Sequence, residues 1–300
     1  MPFAFAGCSF HTDREAARQE FPPEIVPEFL EYRVGERRMG YVRVQRDRTP
    51  EDAAQSANAN ANAKANRDAR PLIVFIHGSP GGWNAYLEYL RSAVLLDAAR
   101  LISVDRAGYG ASDAGRPEPN LAQQAALIAP ILFSEHENPG QGAAGKPPVV
   151  LVGHSYGGPV AVQLAMDYPD RVSGLVLIAA SVDPDLEEWR WFNRLAELSF
   201  TRWILPAAWD VSNQELKPLR EDLTEILSRW GEIRGPVALV HGEDDRLVPV
   251  ANLDFARDRL RNARVAVHRY EAADHFILWD RPEEMSEIIL ETLEQAANAQ

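Results

Sequence analysis

The sequence predicts an α/β protein: a mostly parallel central sheet flanked by helices, with a helical cap inserted after the sixth strand. Three observations carry this reading. Short continuous apolar runs recur along the chain, the pattern of strands buried on both faces. Amphipathic segments of helical length follow most of them, as in a chain of βα units. The rhythm stops after Ala180 and resumes at Gly235.

Taken in order, Thr12 to Glu20 reads as a short helix, with Thr12 and Glu15 at capping-box spacing. Tyr32–Val34 and Tyr41–Val44 are β-prone runs around Gly35 and Gly40, which predicts a hairpin. Six further strands are expected at Leu72–Ile76, Leu101–Val104, Val149–Val152, Val172–Ala179, Val237–Val240 and Val265–Val267. The helical segments are Trp83–Asp97, Leu121–Phe133, Tyr156–Tyr168, Asn252–Leu260 and Glu283–Ala296. Residues 53–70 and 136–148 read as flexible insertions. The first is nearly all Ala, Asn, Ser, Gln and Lys up to Asn66, and the second is rich in Gly, Ala and Pro. Neither offers bulky apolar surface to offset the entropy of ordering it.

These breaks divide the chain into a sheet domain, residues 1–182 and 236–300, and a cap, residues 183–235. The cap is helical in pattern, with prolines at 184, 206 and 218, and holds five of the seven tryptophans: Trp189, Trp191, Trp203, Trp209 and Trp230. A length of 300 residues, awkward for one domain or for two, fits one sheet domain carrying a cap.

Composition removes whole classes of function. With 31 basic against 44 acidic residues, the net charge of −13 speaks against a nucleic-acid partner, whose affinity would rest on a basic face. No apolar run approaches the 18 or so residues of a transmembrane helix. One cysteine, Cys8, excludes an intramolecular disulfide and a cysteine-built zinc site. Phe3 to Gly7 place small residues before Cys8, like the end of a lipoprotein signal. They lack a basic segment ahead of them and a full apolar core. The expected location is cytoplasmic; an envelope lipoprotein anchored at Cys8 is the alternative, and needs a start further upstream.

The chemistry concentrates at strand ends. Gly153-His154-Ser155-Tyr156-Gly157-Gly158 lies between a strand and a helix, the context of a G-x-S-x-G nucleophile elbow. With 14 serines and 19 glycines, about 0.06 such matches are expected by chance before the flanks are required. A serine hydroxyl needs an adjacent base. His275 follows the last strand and precedes the final helix, whereas the other six histidines end earlier strands, sit inside elements or lie in polar stretches. The base needs an orienting carboxylate, and Glu243, Asp244 and Asp245 follow the Val237–Val240 strand. An acyl-transfer intermediate also needs two N–H donors. Tyr156 supplies one and the His77-Gly78-Ser79-Pro80-Gly81-Gly82 loop the other, at Ser79. Asp105-Arg106-Ala107-Gly108-Tyr109-Gly110-Ala111-Ser112 follows the Leu101–Val104 strand.

With these motifs in this order, the chain resembles the α/β-hydrolase superfamily, of the serine-nucleophile type with a helical cap, over essentially residues 70–300. The resemblance implies the α/β-hydrolase fold and a triad of Ser155, Asp245 and His275. Its spacing selects Asp245 from the three carboxylates, and Asp183 occupies a known alternative location for this acid. Residues 105–112 are similar to a structural turn of the group and carry no expected catalytic role. Dehalogenases and epoxide hydrolases of this fold have an aspartate where this chain has Ser155, so alkyl-transfer chemistry is not expected.

The reading is a serine hydrolase that cleaves a carboxylic ester of a small to medium, apolar or aromatic substrate. Trp189, Trp191, Phe192, Trp203 and Trp209 are the candidate pocket walls; packing of the cap onto the sheet domain is their structural alternative. Alternatives for the reaction are an aminopeptidase of the proline iminopeptidase type, through Glu187 and Glu188, and a C–C bond hydrolase. A third class is a non-catalytic binding protein on the same fold. No metal or organic cofactor is implied, the partner is a small-molecule substrate, and oligomeric state is not readable.

Overall fold

A computed structural model describes residues 14–45, 70–134, 147–187 and 207–299. Eight strands form one sheet: β1 (Glu28–Val34), β2 (Arg37–Val44), β3 (Leu72–Ile76), β4 (Arg100–Val104), β5 (Val149–His154), β6 (Gly174–Ile178), β7 (Gly235–Gly242) and β8 (Ala263–Tyr270). The spatial order is β1-β2-β4-β3-β5-β6-β7-β8. β1 and β2 form the antiparallel hairpin, β2 pairs antiparallel with β4, and every other neighbouring pair is parallel. The eight expected strands are all present. One detail differs: Gly40 lies inside β2 rather than in the turn, and a Cβ there would press on Ala111.

The central strands are buried along their whole length because helices cover both faces. Side chains alternate accordingly. Leu72, Val74 and Ile76 of β3 join one apolar cluster while Ile73 and Phe75 join the other. The first cluster is closed by helices α4 (Leu121–Ile128), α5 (Pro130–Ser134) and α6 (Gly157–Asp167) and by Leu253 and Ala256 of α9 (Ala251–Arg259). The second is closed by α1 (Arg14–Gln19), by α2 (Leu87–Arg91) and α3 (Ala93–Ala98), and by α10 (Ile277–Asp280) and α11 (Pro282–Ala297). The expected helix 83–97 is thus broken into a 3-10 turn, Trp83–Tyr86, and two short helices that part at Ser92, whose backbone is extended.

Between β6 and β7, the described residues form a 3-10 turn, Pro184–Leu186, then α7 (Ala207–Leu216), α8 (Leu219–Glu225) and a second 3-10 stretch, Leu227–Glu232. No strand interrupts this segment among the described residues. Trp230 is a core residue, packed edge-on to Phe255. Most of residues 53–70 and 136–148 lie outside the described residues, as does Cys8. Arg70 is already part of the fold, donating to the carbonyls of Leu96, Asp97 and Ala99, and Pro148 O accepts from Leu72 N.

The sheet changes winding direction at β3, which has β4 on one side and β5 on the other. In open α/β sheets that switch point, at the carboxyl ends of the strands, is where ligands bind. The loops after β3, β5, β7 and β8 carry Ser79, Ser155, Asp245 and His275.

Candidate active site

Ser155 sits between the last residue of β5 and the first of α6, at φ +52°. That left-handed backbone is costly for a residue with a Cβ and forces a sharp turn. The flanking glycines make the turn possible: a Cβ on Gly153 would strike the carbonyl of Gly157, and one on Gly157 would strike that of Ile76. The serine therefore stands at the N-terminus of an 11-residue helix, where the dipole favours developing negative charge.

Asp245 and His275 come together across 30 residues: His275 Nδ1 donates to Asp245 Oδ2 at 2.7 Å. Every acceptor position of the carboxylate is used. Oδ1 accepts from the backbone N–H of Leu247 and of Val248, both at 2.8 Å. Oδ2 lies 3.3 Å from His241 Nε2, which also donates to Val248 O at 2.9 Å. Burial alone would raise the Asp245 pKa. The hydrogen bonds from His241 and His275 outweigh it and hold the group well below the carboxylate range. A charged Asp245 keeps the proton on Nδ1 and leaves His275 Nε2 free to act as a base. The neighbouring candidates do not make this contact: Glu243 and Asp244 use their backbone N–H groups to bond Tyr270 O and Ala273 O.

His154 braces His275. Its Nε2 donates to the carbonyl of His275 at 3.1 Å, and the two rings lie 4.8 Å apart. Burial, and then the adjacent His275, push the His154 pKa down to about 3, so it is neutral. Since His154 precedes Ser155, this contact brings the elbow to the imidazole. Ser155 Oγ makes no hydrogen bond to His275 among the described residues. Such contacts commonly tighten only with substrate bound.

The loop after β3 closes the other side. A Cβ on Gly78 would lie 3.0 Å from the Cβ of Ser155 and 3.2 Å from His154 Nδ1, so the loop backbone runs against the elbow. Among the described residues, neither the Ser79 nor the Tyr156 amide N–H meets an acceptor. Ser79 Oγ donates to Ser212 Oγ at 2.7 Å and lies 3.2 Å from Tyr109 Oη. Trp209 is on α7, 42% exposed, while Trp189, Trp191, Phe192 and Trp203 lie outside the described residues. Asp183 caps the 3-10 turn at Pro184–Leu186 by accepting from Asp185 N. The Asp105–Ser112 segment is a braced turn: Asp105 accepts from the N–H groups of Trp83 and Ala111, and burial raises its pKa to about 6.

Sequence reasoning missed a buried polar cluster beneath this loop. Arg106 and Glu215, both fully buried, form a two-point ion pair with Nη1–Oε2 2.7 Å and Nη2–Oε1 2.8 Å. Gln124 donates to Glu215 Oε2 at 2.9 Å, and Tyr109 Oη donates to Oε1 at 2.6 Å. The signal was present but faint: Glu215 is a lone carboxylate on the buried stripe of α7, one turn beyond Val211 and Ser212.

A catalytic-type carboxylate–imidazole pair beside a strained serine, at the switch point of a doubly covered sheet, is the arrangement of a hydrolase. Residues 73–288 match the model of the alpha/beta hydrolase family, and the chain belongs to that family. Among curated proteins it is similar to a 2-hydroxy-6-oxononadienedioate/2-hydroxy-6-oxononatrienedioate hydrolase of Klebsiella pneumoniae. The two are 24% identical over 268 residues, which cover 76% of this chain and 89% of the relative. It is also similar to a pimeloyl-[acyl-carrier protein] methyl ester esterase of Aromatoleum aromaticum, 26% identical over 265 residues, with 73% and 97% covered. Among solved structures, a bacterial membrane phospholipase A superposes with a TM-score of 0.63 at 19% identity, covering 95% of this chain and 90% of that one. No helix among the described residues is long and apolar enough to cross a membrane.

Proposed function

We propose that this protein is a serine hydrolase that cleaves carboxylic esters of small to medium, apolar or aromatic substrates through an acyl-enzyme on Ser155. The observation that carries the reading is the His275–Asp245 hydrogen bond of 2.7 Å, formed beside a serine at φ +52°. Ser155 Oγ attacks the ester carbonyl as His275 Nε2 takes its proton. The N–H groups of Ser79 and Tyr156 bind the resulting oxyanion. His275 then gives its proton to the departing alkoxide, which leaves as alcohol. In the second half, His275 takes a proton from water, hydroxide attacks the acyl carbon, and the acid departs as Ser155 recovers its proton. Asp245 stays ionised throughout and stabilises the imidazolium. Trp209, exposed on α7, is the described candidate for the substrate wall.

Hydrolysis of short p-nitrophenyl esters, lost in Ser155→Ala, is the expected result. A Ser155→Ala variant that retains full turnover would refute the assignment.

A second reading has support from the comparisons. The relative named as a 2-hydroxy-6-oxononadienedioate/2-hydroxy-6-oxononatrienedioate hydrolase covers most of the chain, and a C–C bond hydrolase would use the same three residues. Esters and vinylogous diketones assayed side by side separate the two: the ester reading expects the higher kcat/KM on esters.

A further inference from the structure

We infer that Glu215, a carboxylate on the helix α7 between β6 and β7, is a positioning residue for the oxyanion-binding amides, acting through Arg106; the inference rests on the serine-hydrolase reading above. Glu215 holds the Arg106 guanidinium by two bonds, and both side chains are fully buried. Of the remaining guanidinium donors, one on Nη1 goes to Gln124 Oε1 at 2.6 Å and two go to the loop after β3. Nε donates to His77 O and Nη2 to Gly78 O, each at 2.8 Å. His77 Nδ1 reaches the same Gly78 oxygen at 2.7 Å, while His77 Nε2 accepts from Arg106 N at 3.0 Å. His77 is therefore a neutral imidazole, as its burial and the neighbouring Arg106 charge require.

The carbonyl of Gly78 belongs to the same peptide unit as the N–H of Ser79. A trans peptide is planar, with C=O and N–H pointing in opposite directions. Two donors fixed on the oxygen, one of them charged, thus set the direction of the Ser79 N–H and pull electron density away from it. The second amide is tied to the same pair. The Arg106 guanidinium lies 4.6 Å from the centre of the Tyr156 ring, and Tyr156 Oη donates to the backbone carbonyl of Glu215 at 3.4 Å. Tyr109 Oη joins the two parts, donating to Glu215 at 2.6 Å and lying 3.2 Å from Ser79 Oγ. A carboxylate from the cap region is thus built into the support of both donors.

The experiment is steady-state hydrolysis of a p-nitrophenyl ester by the full chain, with inhibition by a trifluoromethyl ketone, which forms an oxyanionic adduct on the serine. For Glu215→Gln we expect kcat to fall by roughly 10², near the loss seen when one oxyanion donor is removed, with KM within about twofold. Ketone affinity should fall by a similar factor. A loss confined to KM, or kcat unchanged, overturns the inference.

A double variant, Arg106→Met with Glu215→Leu, removes both buried charges and can fold as well as the parent. A purely structural ion pair predicts that kcat returns in the double variant; positioning predicts that it stays low. Should either variant fail to fold, Tyr109→Phe decides: a kcat lowered several-fold at constant KM supports the inference, and an unchanged kcat overturns it. A wild-type chain that turns over no ester overturns the hydrolase reading and this inference together. An active wild type with an unaffected Glu215→Gln overturns this inference alone.

Discussion

The two sides of the cleft are held in opposite ways. On the side of the proposed triad, Asp245 is fixed by its own loop: the N–H groups two and three residues ahead and the imidazole four residues behind. On the side of the proposed oxyanion donors, the loop after β3 is fixed by Arg106, and Arg106 by Glu215, 109 residues away. The first arrangement draws its supports from the end of β7 and the loop after it. The second makes the electrostatics of the site depend on a helix outside the sheet. One half of the proposed site is thus a property of the sheet and its loops, and the other half is shared with the segment between β6 and β7.

Substitutions on the two sides should separate these roles, and the largest effect belongs to the triad side. Asp245→Asn removes the charge that fixes the His275 tautomer, and kcat should fall by roughly 10³–10⁴. Ester kinetics at constant pH check it, and a loss below about tenfold would mean that another acid orients the base. Glu215→Gln, on the oxyanion side, comes next at roughly 10². His241→Phe takes one of four donors from Asp245. A single hydrogen bond to a charged group is worth about 1.5–3 kcal/mol, so a fall in kcat of roughly 10- to 10²-fold is expected. An unchanged kcat would show that the two backbone donors and His275 suffice.

The smallest effect concerns stability. The folded pKa of His154, about 3, lies below its ordinary value of 6.5. Between those values the unfolded chain binds a proton that the folded chain does not, so stability is present above pH 6.5 and falls on acidification. His77 shifts in the same direction. Urea unfolding at pH 7.5 and at pH 5 should show a loss in the wild type and a smaller loss in His154→Gln. Equal losses would mean that His154 is not held neutral.

The same contrast explains what could be read from the chain. The strands β3 to β7 were legible because both-face burial writes them as apolar runs such as Leu72–Ile76, whereas the partly exposed β1, β2 and β8 showed only as shorter β-prone runs. Ser155 stood out because its turn demands flanking glycines, and Asp245 and His275 stood out by their places on the loops after β7 and β8. In the structure Asp245, not Glu243 or Asp244, is the carboxylate that His275 Nδ1 meets. Arg106 was visible only as part of a turn, since its function depends on a partner supplied by a distant helix. Glu215 carries no motif; a buried charge on an amphipathic helix is a signal only once its partner is known. The break at Ser92 escaped notice because one amphipathic stripe continues through both short helices.

The most direct test of the central claim is covalent labelling. A fluorophosphonate probe should add once to the native protein, and mass mapping should place the adduct on Ser155, with labelling lost in Ser155→Ala and strongly slowed in Asp245→Asn. An unlabelled protein, or an adduct on another residue, would contradict the assignment of Ser155 as the nucleophile.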